Sequence, residues 1–157
     1  MIRQVAKRIH DTSKILRTLG YLSETISDIE FINYLTGETL TGDTTTPEEI
    51  LANDYLMIHE LVEISELKRQ NIPIDKHTIQ RYSHHTYTAH LTATDWEFSY
   101  ALKKGDAGWL QQRLTIAQHW LKDPYLPPTL TRQYRTLLEE YSRHLKTFTH
   151  QRTEQNP

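Results

Sequence analysis

The sequence predicts an all-α protein, a single-domain bundle of about five helices with mainly antiparallel neighbours. Three observations predict it. Apolar residues recur at three- and four-residue spacing along most of the chain. These stretches open on capping residues or close on Gly, Asn or Pro. The turns between them are short, and no convincing partner for an alternating strand appears. A chain of 157 residues is one domain by ordinary size and can bury a core without a disulfide or a metal.

The first helix is expected from Ile2 to Leu19, with Gly20 as its terminator. Between Ser23 and Thr36, Ser27 and Glu30 have capping-box spacing. Ile29, Phe31 and Leu35 also fit alternation, but without a partner strand the segment reads as helix. Residues 36–46 form a loop. Thr46-Pro47-Glu48-Glu49 is a strong start signal, with a capping Thr, Pro at the first helical position and Glu completing the box. One helix should continue to about Arg69 and stop at Asn71-Ile72-Pro73. Asp75 is the expected cap of a long helix from about Lys76 to Lys104, and Asp106 caps another from Ala107 to Lys122. Beyond the Pro127-Pro128 pair, a last helix starts near Thr129. Its Leu130, Tyr134, Leu137, Leu138, Tyr141, Leu145 and Phe148 form one stripe, with Leu138, Tyr141 and Leu145 to be buried against the bundle or against a second copy in a homodimer. The tail from about 150 to 157 is expected to fray.

Composition removes several function classes. Eighteen Lys and Arg against twenty Asp and Glu give a net charge of −2, so no nucleic-acid partner is expected. The chain has no Cys, which excludes disulfides, thiolate metal sites and cysteine nucleophiles. Five Gly leave almost nothing for a phosphate loop. No apolar run suits a signal peptide or a membrane span, so no membrane partner and a cytoplasmic location are expected.

The informative residues are the polar ones that helical phase turns inward. Each residue advances about 100° around its helix. Taking one continuous helix from Pro47 and counting from Ile50, apolar residues cover most of the circumference, as in a central helix. Asp54 and Glu60 fall on the apolar arc, and His59, Glu63 and Glu66 share the remaining polar edge. On the following helix His90 and Glu97 sit in the centre of the apolar arc, two turns apart. Arg113 lies among the apolar residues of the next helix. Buried ionisable groups require partners. Carboxylates and imidazole on facing helices suit a divalent transition metal, with Glu60, His90 and Glu97 as the leading ligands and Asp54, Glu63 and His59 secondary. The bland reading is a structural network neutralised by Arg113.

His59-Glu60-Leu61-Val62-Glu63 has the frame of the zinc-protease motif, except that Glu63 stands where that motif has its second His. With His59 and Glu63 on a polar edge, a solvated pair is the expected outcome. Glu60-x-x-Glu63 is similar to the first metal motif of the all-α nucleoside-triphosphate pyrophosphatases. Their second motif, Glu-x-x-Asp, is missing, since Asp95 and Glu97 have the wrong spacing. His10-Asp11 resembles the central dipeptide of the HD phosphohydrolases, but no upstream His is available to complete it. Neither fragment assigns a family. The sequence therefore supports a non-enzymatic helical interaction or assembly protein with a buried His/Glu/Arg network. Its rival is a metal-binding bundle, with a metal-dependent hydrolase using Glu60, His90 and Glu97 as one form. Substrate, reaction and metal identity are not encoded in any motif.

Overall fold

The computed structural model describes residues 2–40 and 43–155. Among them are eight helices and no strand: α1 (Ile2–Leu19), α2 (Asp28–Thr36), α3 (Pro47–Leu51), α4 (Asp54–Arg69), α5 (Thr78–Arg81), α6 (Ser83–Lys103), α7 (Ala107–Trp120) and α8 (Pro128–Gln155). None is long and apolar enough to cross a membrane. The chain divides into two compact units, Met1–Glu97 and Phe98–Pro157.

The all-α class holds, but there are eight helices and not about five: six segments read as helix, and two of these are each broken. The first break follows from a cap hidden inside an apolar stretch. Asn53 takes an extended backbone (φ −131°, ψ 121°) and its side chain accepts a hydrogen bond from the Leu56 amide, which ends α3 and starts α4. Arg8 of α1 bridges this break, donating to the Leu51 carbonyl at 2.8 Å and to Asp54 at 2.9 Å. The second break is at Tyr82 (φ −124°, ψ 45°), with no Gly or Pro beside it in the sequence. Asp75 does not cap a helix. Its carboxylate accepts from the His77 amide two residues on, closing a local turn, and α5 starts at Thr78 without a side-chain cap.

Other signals appear where expected. Ser27 with Glu30 and Thr46 with Glu49 form complete capping boxes. α4 ends with Asn71 in the left-handed region (φ 60°). There Asn71 N–H donates to Lys68 O and Ile72 N–H to Leu67 O, a pattern that satisfies the last free carbonyls. α8 continues through Gln155, past the residue near 150 where fraying is expected. The polar run His150-Gln151-Arg152-Thr153-Glu154-Gln155 includes Gln, Arg and Glu, all good helix formers. Residues 156–157 lie outside the described part.

In the first unit α4 is the central helix, as the sequence indicates, packed against α1 and α3. Met57, Ile58, Leu61, Val62, Ile64 and Leu67 are fully enclosed on it. α2 is tied to α4 at both ends, by Lys68–Glu30 and by Tyr34–Glu63. Gly37 follows α2 at a point where the backbone of Lys76 passes so closely that a Cβ would lie 2.5 Å from it. Only Gly permits this approach, and the contact is fixed by a 3.0 Å bond from Glu38 N–H to Lys76 O. In the second unit, Phe98, Leu110, Leu114, Ala117, Leu138, Tyr141 and Leu145 form the core. It includes Leu138, Tyr141 and Leu145 of the stripe expected on the last helix, with Leu137 packed against it, and Leu130 and Tyr134 are buried as well. At the turn before α7, Gly105 is left-handed (φ 69°) and Asp106 caps α7 by accepting from the Trp109 amide.

Candidate metal centre

Side chains are buried around nearly the whole circumference of α4, including the edge that carries His59 and Glu63. The step that fails is the one from a polar edge to solvent, because His90 and Glu97 of α6 lie against that edge. Asp54 is not inside: its side chain is 49% exposed and pairs with Arg8. His59 and Glu63 are not on a solvated edge: they are only 3% and 4% exposed. Glu60 is half-buried beside them. On α6 the expected phase holds better, with Glu97 at 0% exposure and His90 half-buried.

His59 and Glu63 stand one turn apart on α4, so their side chains rise from the same face. His90 of α6 meets them. His59 Nε2 lies 3.1 Å from Glu63 Oε2 and 3.0 Å from His90 Nδ1, and His90 Nδ1 lies 3.1 Å from Glu63 Oε2. The three atoms form a nearly equilateral triangle. Two further groups hold it in place. His59 Nδ1 is 2.9 Å from Glu97 Oε1. A carboxylate only accepts, so Nδ1 carries the proton, and the His59 ring is fixed with Nε2 toward the triangle. The Tyr34 hydroxyl donates to Glu63 Oε1, leaving Oε2 for the triangle.

Charge at this centre is tightly coupled. Burial by itself would lower the His59 pKa, but hydrogen bonds and charge from Glu63 and Glu97 outweigh it and push it up to about 10. Burial would raise the Glu63 carboxyl, and hydrogen bonds from His59 and His90 instead hold it far below the usual carboxylate range. The Tyr34 hydroxyl is pushed well above 10, by burial first and then by the charges of Glu63 and Glu60.

Hydrogen bonds cannot satisfy all three edges of the triangle together. If both imidazole nitrogens donate to Glu63, two N–H groups face each other across 3.0 Å. If His90 Nδ1 accepts from His59, its lone pair instead faces the carboxylate oxygen at 3.1 Å. A cation meets three lone pairs at once. Donor atoms about 2.1 Å from one ion and at right angles lie about 3.0 Å apart, which is the spacing here. Two His and one carboxylate on one side of an ion leave the other side open. His59, Glu60, Glu63 and His90 also border a cavity of about 30 Å³, room for about one water.

Of the four ionisable groups brought together here, the sequence placed His90 and Glu97 inward and His59 and Glu63 on a polar edge. His90 is a member of the triangle. Glu97 orients His59 and is one atom removed from the triangle. Glu60 borders the cavity. His59 and Glu63, the secondary candidates, supply the other two corners. Their i, i+4 spacing was the available signal. Tyr34 was not singled out, and its i, i+3 spacing from Phe31 on α2 was the available signal for an inward position. Arg113 stands in the second unit, with its guanidinium 5.7 and 5.8 Å from the ring centres of Trp109 and Trp120. No family model, curated protein or solved structure matches the chain.

Proposed function

We propose that this chain is a metal-binding helical protein that holds one divalent transition metal through His59 Nε2, Glu63 Oε2 and His90 Nδ1. The observation that carries the reading is the triangle of donor atoms 3.0–3.1 Å on a side. Two supports come from the same centre. Glu97 on His59 and Tyr34 on Glu63 are the kind of outer partners that orient ligands and raise their basicity. Three protein ligands with an open side suit a reactive ion, whereas purely structural zinc is closed by four.

A second reading has its own observation. His59 lies between two buried carboxylates with a pKa pushed up to about 10, so without metal it is an imidazolium that neutralises Glu63 and Glu97. On that reading the centre is a structural ion network in an interaction protein. The two readings differ in what displaces the His59 proton.

The test is titration of the full chain, stripped with a chelator, with Zn²⁺ and Co²⁺. One equivalent should bind. At pH 8 binding should release about one proton, seen as a heat that varies with the ionisation enthalpy of the buffer. His90→Ala and Glu63→Gln should abolish tight binding while helical circular dichroism persists. Glu97→Gln should weaken it by roughly 10–100-fold. Failure of the unmodified protein to bind either metal below millimolar concentration would leave the ion network as the function of these residues.

A further inference from the structure

Donor spacing also constrains the geometry of an ion. We propose that the site takes one ferrous ion in six-coordinate form, held on one face by His59, Glu63 and His90, and that its remaining positions take water and an uncharged diatomic ligand of the size of dioxygen. This rests on the metal reading above and adds the ion, its geometry and the class of ligand it binds.

Donors about 2.1 Å from an ion lie about 3.4 Å apart at the tetrahedral angle and about 3.0 Å apart at right angles. The edges of the triangle are 3.0, 3.1 and 3.1 Å, which is the right-angled face of an octahedron. Neighbouring groups hold this spacing. His59 and Glu63 rise from one helix a turn apart. The His59 ring is held by Glu97 at 2.9 Å, and Tyr34 engages Glu63 Oε1. Opening the His59–Glu63 edge to the tetrahedral spacing would pull against both bonds. Tyr34 also keeps Glu63 to a single ligating oxygen, so the two histidines and Glu63 supply three donors and not four. Among the described residues, His59, Glu63 and His90 are the one group of three or more His, Asp or Glu whose ligand atoms gather within 4.8 Å of one another. Two imidazoles and one carboxylate on a shared face, with the opposite positions open, are the donor set that suits non-haem ferrous iron.

Size and charge restrict what the open positions take. The same three residues border the cavity of about 30 Å³, room for about one water, so a ligand of one or two heavy atoms fits and a larger substrate does not. Leu35, Leu40, Ile50 and Ile79 give it apolar walls. Charge is already balanced at the centre. With His59 neutral on the ion, the carboxylates of Glu63 and Glu97 match the two charges of Fe²⁺. Glu38 and Asp43 also border the cavity, and among the described residues that do so there is no Lys or Arg. An anion would therefore enter against carboxylates with no basic side chain to offset them. An uncharged diatomic meets no such repulsion.

The experiment uses the full chain, stripped with a chelator and reloaded without oxygen. One equivalent of Fe²⁺ should bind. Nitric oxide, the diatomic probe, should then give the quartet-spin electron paramagnetic resonance signal of an iron nitrosyl, stoichiometric with the iron. The Co²⁺ form should be pale pink, the weak absorption of a six-coordinate ion, and millimolar azide should leave its spectrum unchanged. His90→Ala should lose the iron and the nitrosyl signal while helical circular dichroism persists. Intense blue bands in the Co²⁺ form overturn the six-coordinate geometry. Binding of Zn²⁺ or Co²⁺ without binding of Fe²⁺ overturns the choice of iron. Bound iron that forms no nitrosyl overturns the diatomic ligand, and a Co²⁺ spectrum that azide changes overturns the exclusion of anions. A nitrosyl signal that survives in His90→Ala overturns the placement of the iron. The first four of these results leave the metal reading standing, whereas a chain that binds no metal overturns both.

Discussion

In residues Met1–Glu97 the helices close around His59, Glu63, His90 and Glu97, whereas in Phe98–Pro157 they close around Phe98, Leu110, Leu114, Leu138, Tyr141 and Leu145. Both units are built from helices, with capping side chains at α2, α3 and α4 in the first and at α7 in the second. The second shows what these helices do when packing is the only requirement: an edge-to-face pair, Phe98 on Tyr141 with ring centres 5.4 Å apart, sits within aliphatic side chains. The first places ionisable groups where water cannot solvate them, and each must then be neutralised by a neighbour. The difference teaches that the polar centre is not a by-product of the fold. A chain able to make one apolar core could make another, and carboxylates in the first unit cost stability unless every one is paired.

The comparison can be broken or sharpened by measurement. The largest effect is expected from Glu97→Ala in metal-free protein. It leaves the His59 imidazolium with half its compensation, and the first unit should lose about 3–5 kcal/mol in denaturant titration. A loss under about 1 kcal/mol would mean that the centre is wetter than its burial indicates. Next, Leu138→Ala in the second unit removes a side chain that is 1% exposed and should cost about 2–5 kcal/mol. Its loss should be the same with and without Zn²⁺. A loss that Zn²⁺ restores would join the two cores energetically and break the contrast.

The pH dependence is smaller per step and has a definite sign. The folded pKa of His59, about 10, lies above its unfolded value near 6.5. Its contribution is therefore complete below about pH 6.5 and is lost as pH rises toward 10. The slope reaches at most about 1.4 kcal/mol per pH unit. Glu63 acts in the opposite direction. Its folded pKa is lowered, so its contribution is present above the ordinary Glu range and is lost as pH falls through the lowered value. Metal-free protein should thus be most stable between about pH 4.5 and 6.5 as far as these two groups decide. Denaturant midpoints at pH 6, 8 and 9.5 test this, with His59→Gln as the control expected to flatten the alkaline side. Saturating Zn²⁺ should also reduce the alkaline loss, because the metal takes the place of the proton.

The smallest effect concerns Thr12 of α1, which is 0% exposed and whose hydroxyl has no hydrogen-bond partner among the described residues. Thr12→Val keeps the branched shape and removes the unsatisfied oxygen. Stability should rise by up to about 1 kcal/mol, with no change in metal content. A clear loss would reveal a partner for that hydroxyl.

What the sequence by itself determined is local. Capping boxes at Ser27 and Thr46, the cap at Asp106 and the terminators Gly20, Asn71 and Gly105 involve residues within a few positions of one another. Their chemistry is therefore readable in order along the chain. The apolar stripe of α8 and the inward phase of Glu97 were legible for the same reason, since each lies within an unbroken helix. Two things were decided only in three dimensions. Asn53 looks like an interior residue of one long helix. It caps α4 at a break that Arg8, more than forty positions away, spans by bonding to both sides. His59 and Glu63 keep their phase on α4, and it is α6 that covers their edge. The triangle itself needs α4 and α6 to bring side chains 27 and 31 positions apart to within 3.1 Å. Helical periodicity fixes the direction of a side chain relative to its own axis. It carries no information on where another axis crosses, and it is that crossing that makes a ligand set out of two histidines and a glutamate.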